Sequence, residues 1–453
     1  MTIVSSAPKL EKSNKSKLAD ETSPLLPINS QDSSYEEFNG ASFIGAVFNL
    51  STTIIGAGIM SLPATLKVLG LVLGVLMIIF MAFLTEQSIQ FLLSFSRAGS
   101  SSSYGGLMGN AFGKIGKVLL QIAVLVNNIG ILIVYMIIIG DVLSGTSSSG
   151  VHHSGILEQW FGVHWLTSRI FVFLFCTLAI FAPLACFKRI DSLRYTSALS
   201  VGLAVAFLVI TIGITIMKMV NGSLIMPQML PAVSDFSSVI RLFTCVPILV
   251  TSYICHYNVH SIQSELEAPS QMQNVVRASL TLCSSVYVMT SVFGFLLFGE
   301  GTLDDVLANF DSDLGIPFSS ALSAAVRISY AAHLMLVFPI VFYPLRANMD
   351  ALLFPSASPL HQSNARFAVV TVGLISMIFF GASCIPSIWD AFQFTGATAA
   401  VCLGFIFPAA VALRDVEGNA TRKDKILSVF MIVLAVLSNL VAVYSDAEAL
   451  IHK

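Results

Sequence analysis

From Ala41 onward the chain alternates apolar stretches of roughly 18 to 28 residues with short polar breaks. At 1.5 Å of rise per residue, each stretch is long enough to cross a hydrocarbon core of ~30 Å as an α-helix. Eleven such stretches occur, at 41–68, 70–95, 117–140, 168–187, 196–219, 238–264, 274–298, 318–345, 365–384, 386–413 and 425–445. The pattern predicts an all-α polytopic membrane protein with eleven transmembrane helices. Residues 1–40 break it: they are polar and Ser-rich, with too few large apolar residues to form a core, which predicts a disordered tail. The expected organisation is therefore a tail (1–40), a ten-helix core (41–413), and an eleventh helix with a short C-terminus (414–453).

Composition agrees. Of the 453 residues, 55% are hydrophobic and 11% charged, against about 25% charged in soluble domains. The mean hydropathy is +0.84. Because the apolar excess runs along almost the whole length, a single-anchor protein with a large soluble domain is excluded. The net charge of -2 gives no basic excess to attract nucleic acid. No basic n-region followed by a short apolar run opens the sequence, so no cleavable signal peptide is expected. All seven cysteines fall within or beside apolar stretches, which reads as small core residues rather than a disulfide framework.

The basic residues orient the chain. Of the 23 lysines and arginines, 17 lie in the tail, in the even-numbered gaps or at the helix ends flanking those gaps, and 6 lie on the other side. By the positive-inside bias the N-terminus is cytosolic. The gap at 299–317 supports this, holding Glu300, Asp304, Asp305, Asp311 and Asp313 with no basic residue. With eleven spans the C-terminus is lumenal or extracellular. Asn221, in Asn-Gly-Ser, then lies on the non-cytosolic side, either as a glycosylation acceptor or as an unused sequon. In the tail, Glu21, Leu25 and Leu26 form E-x-x-x-L-L, which resembles the acidic dileucine signal read by sorting adaptors for endosomes, lysosomes and vacuoles.

Ten spans divide as five plus five. Five is odd, so the second half enters the membrane from the opposite side, which is an inverted repeat. In such repeats helices 1 and 6 are broken near the midplane, where unpaired backbone groups bind substrate. In span 1 the run Gly56-Ala57-Gly58, followed by Pro63, predicts half-helices at about 41–55 and 59–68. In span 6 the apolar run Leu242 to Val250 gives way to the polar cluster Ser252-Tyr253-Ile254-Cys255-His256-Tyr257-Asn258, which a lipid-facing helix would not tolerate.

These residues resemble a known family. FNLSTTIIGAGIMSL at 48–62 is similar to the first-span signature of the amino acid/auxin permease family, in its sodium-coupled neutral amino acid transporter-like branch. CVPILVTSYICHYNVHSIQSELEAPS at 245–270 matches that branch's C-H-x-x-x-x-x-I-x-x-E-L pattern, and FGFLLFG (293–299), FPIVFYPLR (338–346) and FTGATAAVCLGFIFPA (394–409) follow in order. The short loops and dileucine tail look more like plant-type vacuolar amino acid transporters than plasma-membrane carriers. The resemblance implies a leucine-transporter-like core and proton- or sodium-driven movement of amino acids.

An amino acid presents a carboxylate and an ammonium on one carbon, and two broken helices offer a partner to each. The amides at the start of the second half-helix of span 1, at Gly58, Ile59 and Met60, together with the positive dipole end, suit the carboxylate. The carbonyls near Thr52, Thr53 and Ile55, with Ala57 and Gly56 at the break, and the backbone from Ser252 to Cys255 suit the ammonium. Asn127, Asn128, Tyr253, His256, His333 and Phe394 are side-chain candidates for selectivity or for structural contacts.

For the coupling ion, Asn49 matches the sodium-driven carriers. Those carriers, however, place hydroxyl residues two and four positions before the proline of span 8, where this chain has Val337 and Met335 ahead of Pro339. Na+ requires hard oxygen ligands, so sodium would depend on carbonyls and Ser329. A proton would use ionisable groups held within the membrane: Glu86, His256, Arg327 and His333. Two readings stay open for Glu86, a proton site opposite a cation or a static buried pair. His256 either titrates or hydrogen-bonds freed carbonyls. Lys67, Arg241 and Asp390 sit near span ends and are expected to snorkel.

The expectation is an H+-coupled carrier of small neutral amino acids, surrounded by lipid, working across an endomembrane from lumen to cytosol and needing no cofactor or structural metal. Na+ coupling and an amino acid sensor are the alternatives. No filter-like charged ring supports a channel, and no nucleophile or metal constellation such as H-E-x-x-H supports an enzyme.

Overall fold

The computed structural model describes residues 39–148, 151–224, 226–311, 314–385 and 398–451, which belong to one compact unit. The tail with Glu21, Leu25 and Leu26 lies outside the described residues, as do Asp313, Asp390 and Phe394.

The first apolar stretch forms α1 (Phe43–Ile54) and α2 (Gly58–Leu69), bent by 57° at the break between them. The Ser42 hydroxyl caps α1 by accepting from the Gly45 N–H at 3.2 Å. Then follow α3 (Leu71–Ala98), α4 (Tyr104–Ser144), α5 (Ile156–Phe161), α6 (Arg169–Ala185, with a π-turn at Thr177–Phe181) and α7 (Arg194–Val220). The sixth stretch is divided into α8 (Phe236–Phe243), α9 (Cys245–Ser252) and α10 (His256–Glu265). After it come α11 (Met272–Phe298), α12 (Val306–Asn309), α13 (Ser319–Leu353), α14 (Asn364–Cys384), α15 (Thr398–Arg414) and α16 (Arg422–Ile451).

Among the described residues, eight helical segments are long and apolar enough to cross a membrane, and the bent α1–α2 pair makes a ninth. The shorter apolar helices α6 and α15 fall where the fourth and tenth spans are expected. Part of the tenth, residues 386–397, is outside the described residues. Two boundaries and one connection differ from expectation. The third span starts at Tyr104 rather than 117, because Gly113 takes a left-handed φ of 66° that joins two helices through a kink. The eighth runs on to Leu353 rather than 345. The connection after α4 forms a two-stranded antiparallel hairpin, β1 (Thr146–Ser148) with β2 (Val151–His153), a small departure from an all-α chain.

The core lies around α1, α2 and α10. α13 packs along α4 and α7, and α11 packs along α1, α2 and α3. Outward faces stay apolar: Ile115, Leu119, Ile122 and Val126 form an exposed stripe at helical spacing on α4, suited to lipid tails and not to water. Prolines inside α13 create acceptors for the core. Pro344 has no N–H for the carbonyl of Ile340, and Asn258 of α10 donates its Nδ2 to that oxygen at 2.9 Å.

Candidate substrate site at two broken helices

The two breaks touch. A β-carbon placed on Gly58 would lie 2.8 Å from Ser252 Cα, and one on Gly56 would lie 2.1 Å from the Tyr135 hydroxyl. Only glycine lets the start of α2 approach the end of α9 so closely. Tyrosines meet the carbonyls that the breaks release. Tyr287 Oη lies 2.7 Å from both Ile54 O and Ser252 O, and Tyr330 Oη donates to Gly56 O at 3.1 Å. Between the breaks is a cavity of about 20 Å³, bounded by Thr53, Ile54, Gly56, Ala57 and Gly58, by Ile131 and Tyr135 of α4, and by Thr251, Ile254 and Tyr257. A space of that size holds about one water, not an amino acid.

Both ends of the bundle are laced shut around it. At one end Ala41 and Leu266 form a backbone bridge, and Glu265 accepts from the Ile190 and Asp191 N–H groups at 2.9 and 2.6 Å. Asn49 donates from Nδ2 to Ile190 O at 3.1 Å, and Thr52 donates to Ser197 O at 2.9 Å. At the other end Arg327 pairs with Asp311 at 2.9 Å and donates to Ser154 O at 3.1 Å, while Lys67 donates to Thr302 O at 3.3 Å.

The candidates fall into three groups. Thr53, Gly56, Ala57 and Gly58 line the cavity directly. Ser252 and Tyr253 are buried at the second break, the Tyr253 hydroxyl 3.0 Å from Ser284 Oγ. His256 opens α10, its Nε2 2.6 Å from Ser88 Oγ; Ser88 in turn donates to Gly404 O, so the imidazole is the donor in the first contact. His333 Nδ1 lies 2.8 Å from Ser200 O, its buried Nε2 has no hydrogen-bond partner among the described residues, and its ring stacks on Tyr330.

The second group braces the bundle. Asn49 holds α1 to the connection before α7, and Thr52 holds it to α7 itself. Asn128 donates to Val341 O at 3.1 Å and accepts from Asn127 at 2.8 Å. Ser329 Oγ donates to its own helix at Val326 O. The amides of Ile59 and Met60 turn back to Gly56 O and Ala57 O at 3.3 and 3.2 Å, long local bonds for which an incoming carboxylate would compete.

In the third group, Glu86 and Arg327 lie away from the breaks. Glu86 pairs with Arg277 at 2.8 Å, an arginine whose side chain is 56% exposed, and accepts from Gln90. Arg327 joins two connections. Asn221 caps the exposed end of α7.

Sequence reasoning missed Tyr135, Tyr287 and Tyr330, and placed Tyr257 and Asn258 in the polar cluster of the second break without giving either a role. Their signal was present: a hydroxyl or amide inside an otherwise apolar span must find a partner, and these find the breaks. Asn258 also donates to Thr53 Oγ1 at 3.0 Å, tying α10 to α1.

Comparison with known proteins agrees with this geometry. Residues 39–451 match the family model described as "Transmembrane amino acid transporter protein". The chain is 66% identical over its whole length to "Amino acid transporter AVT6A" of Arabidopsis thaliana, covering 99% of that protein. It is 27% identical to "Solute carrier family 38 member 10" of Rattus norvegicus, covering 89% of this chain and 36% of that one. Among solved structures, MhsT in complex with L-phenylalanine superposes with a TM-score of 0.55 at 15% identity, covering 89% of this chain and 99% of that one. A mutant form of the manganese transporter of Eremococcus coleocola gives 0.56 at 11% identity, covering 89% and 85%. The fold is thus leucine-transporter-like, but one architecture carries cargoes as unlike as an amino acid and a metal ion, so fold alone does not choose between them. Whole-length sequence similarity does: the chain belongs to the transmembrane amino acid transporter family, the amino acid/auxin permeases, and is a carrier rather than an enzyme.

Proposed function

We propose that this protein moves small neutral amino acids together with protons from the lumen of a vacuole- or lysosome-like compartment to the cytosol by alternating access. The observation that carries the reading is the contact of Gly58 with Ser252, which brings a helix start and two helix ends to one point. The carboxylate goes to the amides at the start of α2, and the ammonium to the carbonyls of Ile54 and Ser252. Ile131, Ile254, Tyr135 and Tyr257 around the cavity offer a small, uncharged surface to the side chain, which favours neutral substrates.

His333 is the coupling residue in this reading. Its Nδ1 meets Ser200 O of α7, its buried Nε2 has no hydrogen-bond partner among the described residues, and its ring stacks on Tyr330, which donates to Gly56 O at the first break. A proton taken up on Nε2 creates a second buried donor that needs an acceptor, so proton binding is linked to a rearrangement beside the break. Val337 and Met335 offer no hard oxygen for Na+. The dileucine-like tail motif supports an endomembrane, and the basic-residue bias supports a cytosolic N-terminus and a lumenal C-terminus.

The test is uptake of each of the twenty amino acids by proteoliposomes, with and without an inward-acid gradient and with and without Na+. Acid should stimulate neutral substrates, and His333→Gln should remove that stimulation while leaving substrate exchange. Full stimulation by Na+ with none by acid would sink the proton assignment.

A further inference from the structure

α11 reads the carbonyl edge of α1 with one face. Ser279 donates to Val47 O at 3.1 Å, Cys283 Sγ sits 3.7 Å from Ser51 O, and Tyr287 Oη sits 2.7 Å from Ile54 O. These three side chains are spaced one helical turn apart, so α11 is fixed in register along α1 and the place of the Tyr287 hydroxyl is set by α1. The same hydroxyl is also 2.7 Å from Ser252 O, the last carbonyl of α9. Tyr287 is fully buried, with its ring edge-to-face against Tyr253 at 5.1 Å.

A phenol has one proton to donate, and a carbonyl can only accept. One O–H therefore cannot serve both Ile54 and Ser252 at once, and whichever carbonyl it leaves faces the phenol oxygen at 2.7 Å with no hydrogen between them. Three acceptor oxygens thus converge with a single proton among them. In a buried site such a deficit is unfavourable until a donor arrives. A group with several N–H donors and a positive charge fits it, and a primary ammonium supplies three.

We infer that Tyr287 recognises the substrate's α-ammonium: its hydroxyl oxygen, with the Ile54 and Ser252 carbonyls, forms a three-oxygen cradle that selects primary α-amino groups. Of the three residues Ile54 borders the cavity, so the cradle meets the substrate space at Ile54. Because Tyr287 touches the ends of both α1 and α9, filling the cradle also fixes the two broken helices relative to each other. The inference rests on the proposed substrate site and adds to it a side chain from a third helix.

The test compares wild type, Tyr287→Phe and Gly58→Val in proteoliposomes. It measures KM and Vmax for labelled L-alanine, L-glutamine and L-glutamate, and competition by the N-methyl, N,N-dimethyl and N,N,N-trimethyl derivatives of L-alanine. In wild type, competition should weaken with each N–H removed and vanish for the trimethyl compound. Tyr287→Phe should raise KM about tenfold or more, the loss expected for one hydrogen bond to a charged group, and should narrow the gap between L-alanine and its N-methyl derivative. Unchanged KM and unchanged discrimination in a monodisperse Tyr287→Phe protein overturn the inference. If that variant does not fold, wild type alone decides: a trimethyl derivative competing as well as L-alanine overturns it. Loss of transport in Gly58→Val alongside a wild-type Tyr287→Phe profile refutes only the role of Tyr287, whereas wild-type behaviour of Gly58→Val refutes the site as well.

Discussion

Replacing Gly58 by alanine adds one methyl group at the contact of the two broken helices. At the start of an ordinary helix this change stabilises by roughly 0.5–1 kcal/mol, because glycine loses more backbone freedom on folding. Here the added carbon meets Ser252 Oγ at 2.6 Å and Ser252 Cα at 2.8 Å. The hydroxyl can rotate away but the Cα cannot. Restoring contact from 2.8 Å to the 3.4 Å at which ordinary packing begins moves the end of α9 by about 0.6 Å. Overpacking of this kind costs about 1–3 kcal/mol, enough to cancel the helix gain and leave a net loss of up to ~2 kcal/mol. The displaced atoms are those proposed to hold substrate, so Gly58→Ala should fall below a tenth of wild-type uptake while remaining monodisperse, with a modest drop in Tm. Gly56→Ala gives the internal contrast, since its added carbon meets the far end of a side chain, the Tyr135 hydroxyl at 2.1 Å. A double-mutant cycle with Tyr135→Phe should recover part of the Gly56→Ala defect and none of the Gly58→Ala defect. Wild-type uptake by Gly58→Ala in a fully folded sample would refute the reasoning.

Three further outcomes are expected. Burial pushes the Asp305 carboxyl, in the connection between α11 and α13, up to about 6. The folded state therefore holds this proton more tightly than the unfolded state. Stability should fall as pH rises from about 4 to about 6 and stay lower above that. Asp305→Asn keeps a cap oxygen for the Leu307 N–H and should flatten the Tm-against-pH curve in that window, and an unchanged slope would count against the raised, half-buried carboxyl. Glu265→Ala removes a carboxylate that accepts two buried N–H groups and should cost about 2–4 kcal/mol. Glu265→Gln should recover part of that loss in thermal unfolding, and equal Tm values for both variants would contradict the assignment. The exposed thiols Cys186 and Cys384 lie at ends of α6 and α14 that the basic-residue bias puts on opposite sides of the membrane. In sealed vesicles an impermeant maleimide should label one of the two from outside and the other only after permeabilisation; labelling of both from one side would overturn the orientation.

The sequence by itself determined what lies in lipid and where the chain is interrupted. Span lengths follow from the contrast between apolar stretches and polar breaks, because lipid cannot hydrogen-bond a backbone. Glycine pairs and polar clusters therefore mark the breaks: the observed gap at Tyr253 to Cys255 falls within its polar cluster, and the gap at Ile55 to Ala57 overlaps the Gly56-Ala57-Gly58 run but begins one residue before it. Family motifs at the same positions pointed to amino acids.

Only the tertiary structure decided which polar groups meet. Glu86, Arg327 and His333 look alike in a linear reading, each an ionisable residue within a span. Folding pairs Glu86 with a half-exposed arginine, turns Arg327 into a strap between two connections, and stacks His333 on Tyr330, whose hydroxyl reaches a break. The tyrosines that complete the site were invisible for the same reason. Their partners are backbone carbonyls of helices far away in sequence, the Ile54 carbonyl lying 233 positions from Tyr287. Such a contact depends on the register of one helix along another, which packing fixes and local sequence does not encode.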